Sequence, residues 1–251
     1  MNIDIGDYPE TAQKAVRYFW KTKRLAKLKK AKLGKTDQGE RGGATAGKNL
    51  DEFVKLLVRV IRNSANQPVS VNTKIKEVTL PGHFRVAKRW DVVVIDRKRR
   101  LLAAIELKSL GGPSYGNNAN NRVEEAIGNA VDFRKAQREG AFGEGVSPFL
   151  GYLMLVEDDE KSSRAPKNPS VSSYFKNDPV FNGASYQKRM AILCERSIQE
   201  GLYDSAVAIA AKDDGGKSGI FKDTSNNATL EKFLLKIAAH IATETRGGGG
   251  P

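Results

Sequence analysis

Trp90-Asp91-Val92-Val93-Val94-Ile95-Asp96, then Arg97-Lys98-Arg99-Arg100, then Leu101-Leu102-Ala103-Ala104-Ile105-Glu106-Leu107-Lys108 is the stretch on which the fold turns. Two apolar runs of buried type joined by a short basic segment form a tight hairpin. With the turn centred between Lys98 and Arg99, Asp91 falls opposite Glu106. Strand alternation sets Lys108 on the same face as Glu106. Val93, Ile95, Leu102 and Ala104 complete that face, so three charges crowd one end of an otherwise apolar surface. Buried charges without partners are expensive. Two carboxylates beside a lysine therefore suggest a divalent-cation site next to a reacting phosphate. A hairpin with a merely solvated open end has the same spacing, but both strands are otherwise apolar on both faces. Asp96, among the arginines of the turn, is explained by an ordinary surface ion pair and is set aside.

Working outward, 42 basic against 29 acidic side chains give a net charge of +13. That balance favours polyanionic partners, although a ribosomal or membrane-surface protein would share it. The length of 251 residues suits one well-cored domain. Cys194 is the sole cysteine and His83 and His240 the sole histidines, which excludes an intrachain disulfide and argues against a Cys/His zinc site or a Ser-His-Asp triad. The acidic start, Met1 to Asp7, has no apolar core of the signal-peptide kind. The longest apolar run, Phe149 to Val156, is too short to span a bilayer. The default is a soluble, cytoplasmic protein.

Asp7 and Pro9 open a helix running over about 7–34. Residues 11–35 hold ten Lys or Arg and no acid; Val16, Phe19, Trp20, Leu25 and Leu28 supply an apolar side. Lys21, Arg24 and Lys27 on this helix track phosphates or form a solvated face. A polar, Gly-rich loop follows over 37–48. Asn49-Leu-Asp-Glu52 resembles a capping box ahead of a second helix. Extended segments lie near Val69–Leu80, and the hairpin comes next. Gly111 to Asn118 reads as a loop, and a helix over about 120–138 carries Val123, Ala126, Ile127, Ala130 and Val131 on one stripe. A buried strand covers Phe149–Val156, a long excursion 157–183, and a helix–strand–helix unit about 184–246. The alternation makes the core, about 49–156, an α/β arrangement: a central mixed β-sheet flanked by helices.

Phosphodiester hydrolysis needs a nucleophilic water, charge neutralisation at phosphorus and stabilisation of the leaving oxygen. A hard cation such as Mg²⁺ prefers carboxylate oxygens and keeps several waters, so Asp91 and Glu106, with the Leu107 backbone carbonyl as a further ligand, suffice. Lys108 can orient the water or stabilise developing charge. Taken alone, an acid followed fifteen positions later by Glu-x-Lys is a weak signal in a charged chain.

The arrangement resembles the PD-(D/E)xK nuclease superfamily, with Asp91, Glu106 and Lys108 in the motif positions. More narrowly, the chain resembles the XhoI family of type II restriction endonucleases. The carrying segments are Asp37-Gln-Gly-Glu-Arg41, Gly47-Lys-Asn49 with Asp51, Thr79-Leu-Pro-Gly82, Glu106-Leu-Lys-Ser109, Gly112-Pro-Ser114, Gly116-Asn-Asn118, Asn120-Asn-Arg122 with Glu124-Glu125, Arg138-Glu-Gly-Ala-Phe-Gly143 and Gly183-Ala-Ser-Tyr186. Trp90 stands where the superfamily name has proline. The resemblance implies a restriction-endonuclease-like core and a Mg²⁺-dependent homodimer. Such a dimer cuts both strands of double-stranded DNA at a palindrome, CTCGAG, leaving a 5′-phosphate and a 3′-hydroxyl. A cognate DNA methyltransferase would act on the same site. Asn117, Asn118, Asn121 and Arg122, just past the catalytic strand, are candidate DNA contacts, since Asn pairs with adenine and Arg with guanine; loop and capping chemistry explains the asparagines equally. Gln38 and Arg41 are similar candidates. Asp51 could add an acidic group, although helix-dipole compensation accounts for it more simply. A junction-resolving or repair nuclease on the same core, and a non-catalytic DNA-binding protein, remain competing readings.

Overall fold

The computed structural model describes residues 4–32, 49–143, 147–167 and 172–246. Six strands form one mixed sheet, in the order β1 (Ser70–Asn72), β4 (Val92–Ile95), β5 (Leu101–Leu110), β6 (Phe149–Glu157), β7 (Ser205–Ala211) and β8 (Phe221–Asp223). The three central strands β5, β6 and β7 run parallel; β4 and β8 flank them antiparallel, and β1 pairs antiparallel with β4. β2 (Thr79–Pro81) and β3 (Ala87–Arg89) pair as a separate two-stranded sheet that the sequence reading did not foresee.

Helices cover both faces because the central strands are apolar on both. On one side α1 (Tyr8–Lys32), α2 (Asp51–Ser64) and α6 (Leu230–Glu244) pack against Val92, Val94, Ile105 and Leu107. On the other, α3 (Tyr115–Arg138) and α5 (Tyr186–Gln199) pack against Val93, Ala104, Leu110 and Tyr152. α3 and α5 are the crossovers that parallel neighbours require. A short helix, α4 (Glu160–Ser163), and a 3₁₀ turn at Pro179–Phe181 lie within the excursion after β6.

Several expectations need correction. The β4–β5 register runs Val92↔Ile105, Val93↔Ala104 and Val94↔Ala103, then shifts to Ile95↔Leu101. That one-residue bulge inserts Leu102, so Leu101 takes the place expected for Leu102 on the Glu106 face. Leu25 and Leu28 are exposed, because the end of α1 outruns the layer that buries Val16, Phe19 and Trp20. The capping box at Asn49 does not form: Leu50 is the N-cap and makes no side-chain bond. α3 begins five residues early, so Asn117 and Asn118 lie in its first turn and Asn121 and Arg122 one turn further along it. Its buried stripe runs through Ala119, Ala126, Ala130 and Phe133, leaving Ile127 and Val131 outward. Gln38 and Arg41 fall outside the described residues.

Candidate active site

Glu106 points from β5 toward the α3 side of the sheet and is only 1% exposed. Continuing the pairing beyond Val92↔Ile105 brings Asp91 beside it. Asp91 leaves the regular ladder: its N–H donates to the Ile105 carbonyl at 3.1 Å, and its Oδ2 accepts the Leu107 N–H at 2.7 Å. Lys108, two residues along β5, places Nζ 2.7 Å from Glu106 Oε1. The cluster read from the hairpin is thus one spatial group.

Two partners of Glu106 were missed. Lys88, on β3, places Nζ 2.7 Å from Glu106 Oε2 and 4.4 Å from the centre of the Trp90 ring. Asn129, on α3, donates from Nδ2 to the same oxygen at 2.8 Å. A polar residue beside Ala126 and Ala130 on an apolar stripe was a visible signal for Asn129. Lys88 had a fainter one: in an extended segment it shares a face with Trp90, directly ahead of Asp91.

The β2–β3 hairpin reaches this point because α3 grips its tip. Asp132 accepts the His83 N–H at 2.8 Å, the Phe84 N–H at 2.7 Å and Arg85 Nε at 2.9 Å. Arg85 Nη2 also donates to Asn129 Oδ1 at 2.9 Å, so Asn129 joins the hairpin to Glu106.

The electrostatics set the two acids apart. Burial pushes the Asp91 carboxyl above its ordinary value, opposed by the Leu107 N–H bond, with Glu106 adding repulsion. Burial would do the same to Glu106, but Lys108 and Lys88 together hold its carboxyl below the ordinary value. Burial disfavours the charged ammonium of Lys108, and attraction to Glu106 outweighs that and raises it. Glu125, from α3, lies 3.9 Å from Lys108 Nζ and is held by Arg122 at 2.5 Å.

The donor set at Asp91, Glu106 and Leu107 is oxygen only, which suits a hard cation that retains waters and takes phosphate oxygens, and does not suit zinc. Among the described residues no group of three or more His, Cys, Asp and Glu could hold a metal ion, so a cation here would rest on two carboxylates. Asp51 opens α2 on the layer facing Ile105 and Leu107, opposite the face that bears Glu106. Arg122 is turned inward, donating from Nε to the Ser109 carbonyl at 3.1 Å as well as to Glu125. Asn117 faces elsewhere, into a groove of about 990 Å³ between α3 and α5 that is also lined by Val123, Ile127, Phe181 and Tyr186. Asn121 is exposed and Asn118 half-buried on α3. Lys21, Arg24 and Lys27 are exposed on α1.

A mixed sheet whose central strand carries Glu106-x-Lys108, with an acid at the start of the neighbouring strand, defines a restriction-endonuclease-like core. The family model for restriction endonuclease XhoI matches residues 29–223. Type II restriction enzyme BstVI of Geobacillus stearothermophilus is 41% identical over 212 residues, 83% of this chain and 93% of that protein. Type II restriction enzyme XhoI of Xanthomonas vasicola is 42% identical over 203 residues, 80% of each chain. Type II restriction enzyme AbrI of Azospirillum brasilense is 46% identical over 171 residues, 67% of this chain and 76% of that one. No solved structure matches. The chain belongs to the XhoI family of restriction endonucleases, enzymes that cut DNA at specific sites.

Proposed function

We propose that this chain hydrolyses one phosphodiester bond in each strand of double-stranded DNA at a short palindrome, leaving a 5′-phosphate and a 3′-hydroxyl. The likeness to the XhoI enzyme favours CTCGAG. The observation that carries the reaction is the meeting of Asp91, Glu106 and Lys108 at the open end of the β4–β5 hairpin. Asp91 and Glu106, with the Leu107 carbonyl, would hold Mg²⁺, which would supply charge neutralisation at phosphorus and ease deprotonation of a water. Lys108 is 28% exposed, so its ammonium can reach solvent and orient the attacking water beside the phosphate.

DNA is held by the basic surface, with Lys21, Arg24 and Lys27 as phosphate contacts and Asn117, Asn118, Asn121 and Arg122 as further candidate contacts along α3. The net charge of +13 favours such a partner. A palindrome is cut by a symmetric pair, so the acting form is a homodimer. It works in the cytoplasm beside a methyltransferase that modifies the same site. Among the described residues no helix is long and apolar enough to cross a membrane.

Digestion of a sequenced plasmid with purified protein and Mg²⁺, followed by sequencing of the ends, tests all of this together. A fixed set of fragments ending at one palindrome is expected. Cleavage only at junctions or distorted DNA would make it a structure-selective nuclease, and binding without any cleavage a non-catalytic DNA-binding protein.

A further inference from the structure

We propose that Lys88 is a positioning residue of the reacting site: with Asn129 it occupies Glu106 Oε2 and so fixes Oε1, beside Lys108, as the oxygen presented to the reaction. This rests on reading Asp91, Glu106 and Lys108 as the hydrolytic group. An ionised carboxylate offers about four acceptor sites over its two oxygens. Lys88 Nζ and Asn129 Nδ2 take those on Oε2, at 2.7 and 2.8 Å. Lys108 takes one on Oε1 at 2.7 Å, leaving that oxygen alone with spare capacity. The carboxylate cannot rotate without breaking two bonds on its closed side.

Lys88 is unlike a surface lysine that happens to pass an acid. Its side chain is 11% exposed and that of Glu106 is 2% exposed, so neither end of the pair is bathed in water. The ammonium also donates to the Arg89 carbonyl at 3.1 Å and lies over the Trp90 ring, and is thereby engaged within the chain. Lys108, at 28% exposure, keeps an open side. The two lysines thus divide the work, one reaching outward and one bracing the carboxylate from behind. Lys88 is also held firmly in place. It pairs with Leu80 in the β2–β3 sheet, whose tip is fastened to α3 by the three bonds to Asp132. Groups that orient a ligand residue in this way typically contribute about 10- to 100-fold in activity or metal affinity.

The test uses the full chain with Lys88→Met, which keeps an unbranched chain of similar length and removes the ammonium, and Lys88→Arg, which keeps the charge but replaces the compact ammonium with a longer, planar guanidinium. Three quantities are measured: plasmid cleavage rate at saturating Mg²⁺, DNA affinity in Ca²⁺ buffer, and Mn²⁺ binding to the DNA-free protein. Lys88→Met should cleave about 10- to 100-fold more slowly. Its DNA affinity should match wild type, since Lys88 reaches no phosphate, and Mn²⁺ should bind at least as tightly with one competing cation gone. Lys88→Arg should cleave at an intermediate rate with DNA affinity intact. DNA affinity falling in step with rate would make Lys88 a phosphate contact and overturn the proposal. So would a wild-type rate in folded Lys88→Met. If Lys88→Met does not fold, Lys88→Arg decides, and a wild-type rate there shows that charge alone, not position, is what Lys88 supplies. Glu106→Gln is run alongside. Should it cleave like wild type, the reading of the site itself fails; should it be inactive while the Lys88 variants are not, only the present inference does.

Discussion

Glu106 carries a negative charge where water scarcely reaches, and the structure tolerates it because two ammonium groups and one amide surround it. Asp91 is held more lightly, by one backbone N–H. The two acids should therefore separate in stability while agreeing in activity. Asp91→Ala and Glu106→Ala are each expected to abolish cleavage at saturating Mg²⁺, and a wild-type rate in either would remove that residue from the site. Asp91→Ala should lose about 1–3 kcal/mol, the cost of an unpaired N–H. Glu106→Ala strands a buried lysine and should lose about 3–5 kcal/mol, which thermal unfolding of the two proteins would resolve. Lys108→Ala should still bind DNA but cleave with a barrier higher by about 2.7–4 kcal/mol, as for loss of one charge-stabilising group. A loss expressed wholly as weaker DNA binding would make Lys108 a phosphate anchor.

At the scale of elements, the β2–β3 hairpin depends on one carboxylate. Burial alone would raise the Asp132 carboxyl, but the Phe84 and His83 N–H groups and Arg85 hold it below its ordinary value. A depressed folded value means that the stability it supplies is in place above the unfolded value of about 3.9 and is lost as pH falls through the lower folded value. Thermal unfolding followed through that acid window should show a steeper decline for wild type than for Asp132→Asn; identical slopes would release Asp132 from this role. How far the elements were legible follows from range. The β4–β5 pairing near Asp91 was readable because strand alternation and a short turn are local, and the helix–strand–helix read over about 184–246 is matched by α5, β7 and α6. The Lys88 hairpin was not, because Thr79-Leu-Pro has too little alternation to announce a strand and its docking depends on Asp132, far along the chain. The early start of α3 escaped for a related reason: Gly116, Asn117 and Asn118 are poor helix formers that the first turn accommodates.

Over the whole molecule, the basic helix reaches the end of the sheet where β5 and β6 finish. Lys23 pairs with Glu157 at 3.4 Å where β6 ends, and Gly112 donates its N–H to the same carboxylate at 3.0 Å just past β5. A Cβ on Gly111 would come within 2.6 Å of Lys23 Nζ, so that side chain would have to move aside. Arg24 leans on the loop at Gly215, while Lys21 and Lys27 are exposed. Neutralising Lys21, Arg24 and Lys27 together should weaken specific and non-specific DNA binding alike, each lost phosphate contact flattening the slope of log K against log salt by about 0.9. Sequence preference should persist, because phosphate contacts position without reading bases. A salt series in metal-free buffer decides it, and an unchanged slope would reduce these residues to a solvated face. The bulge at Leu102 bears on how such a chain tolerates insertions and deletions. It lies between the turn and the reacting residues, so an added or lost residue near Lys98 meets an irregularity already present and can be absorbed there. Past it, toward Glu106, a shift of one would turn the carboxylate to the opposite face of the sheet. A residue inserted at the tip near Lys98 should therefore leave cleavage intact, whereas one inserted between Ala103 and Glu106 should abolish it, which a plasmid digest of the two variants checks.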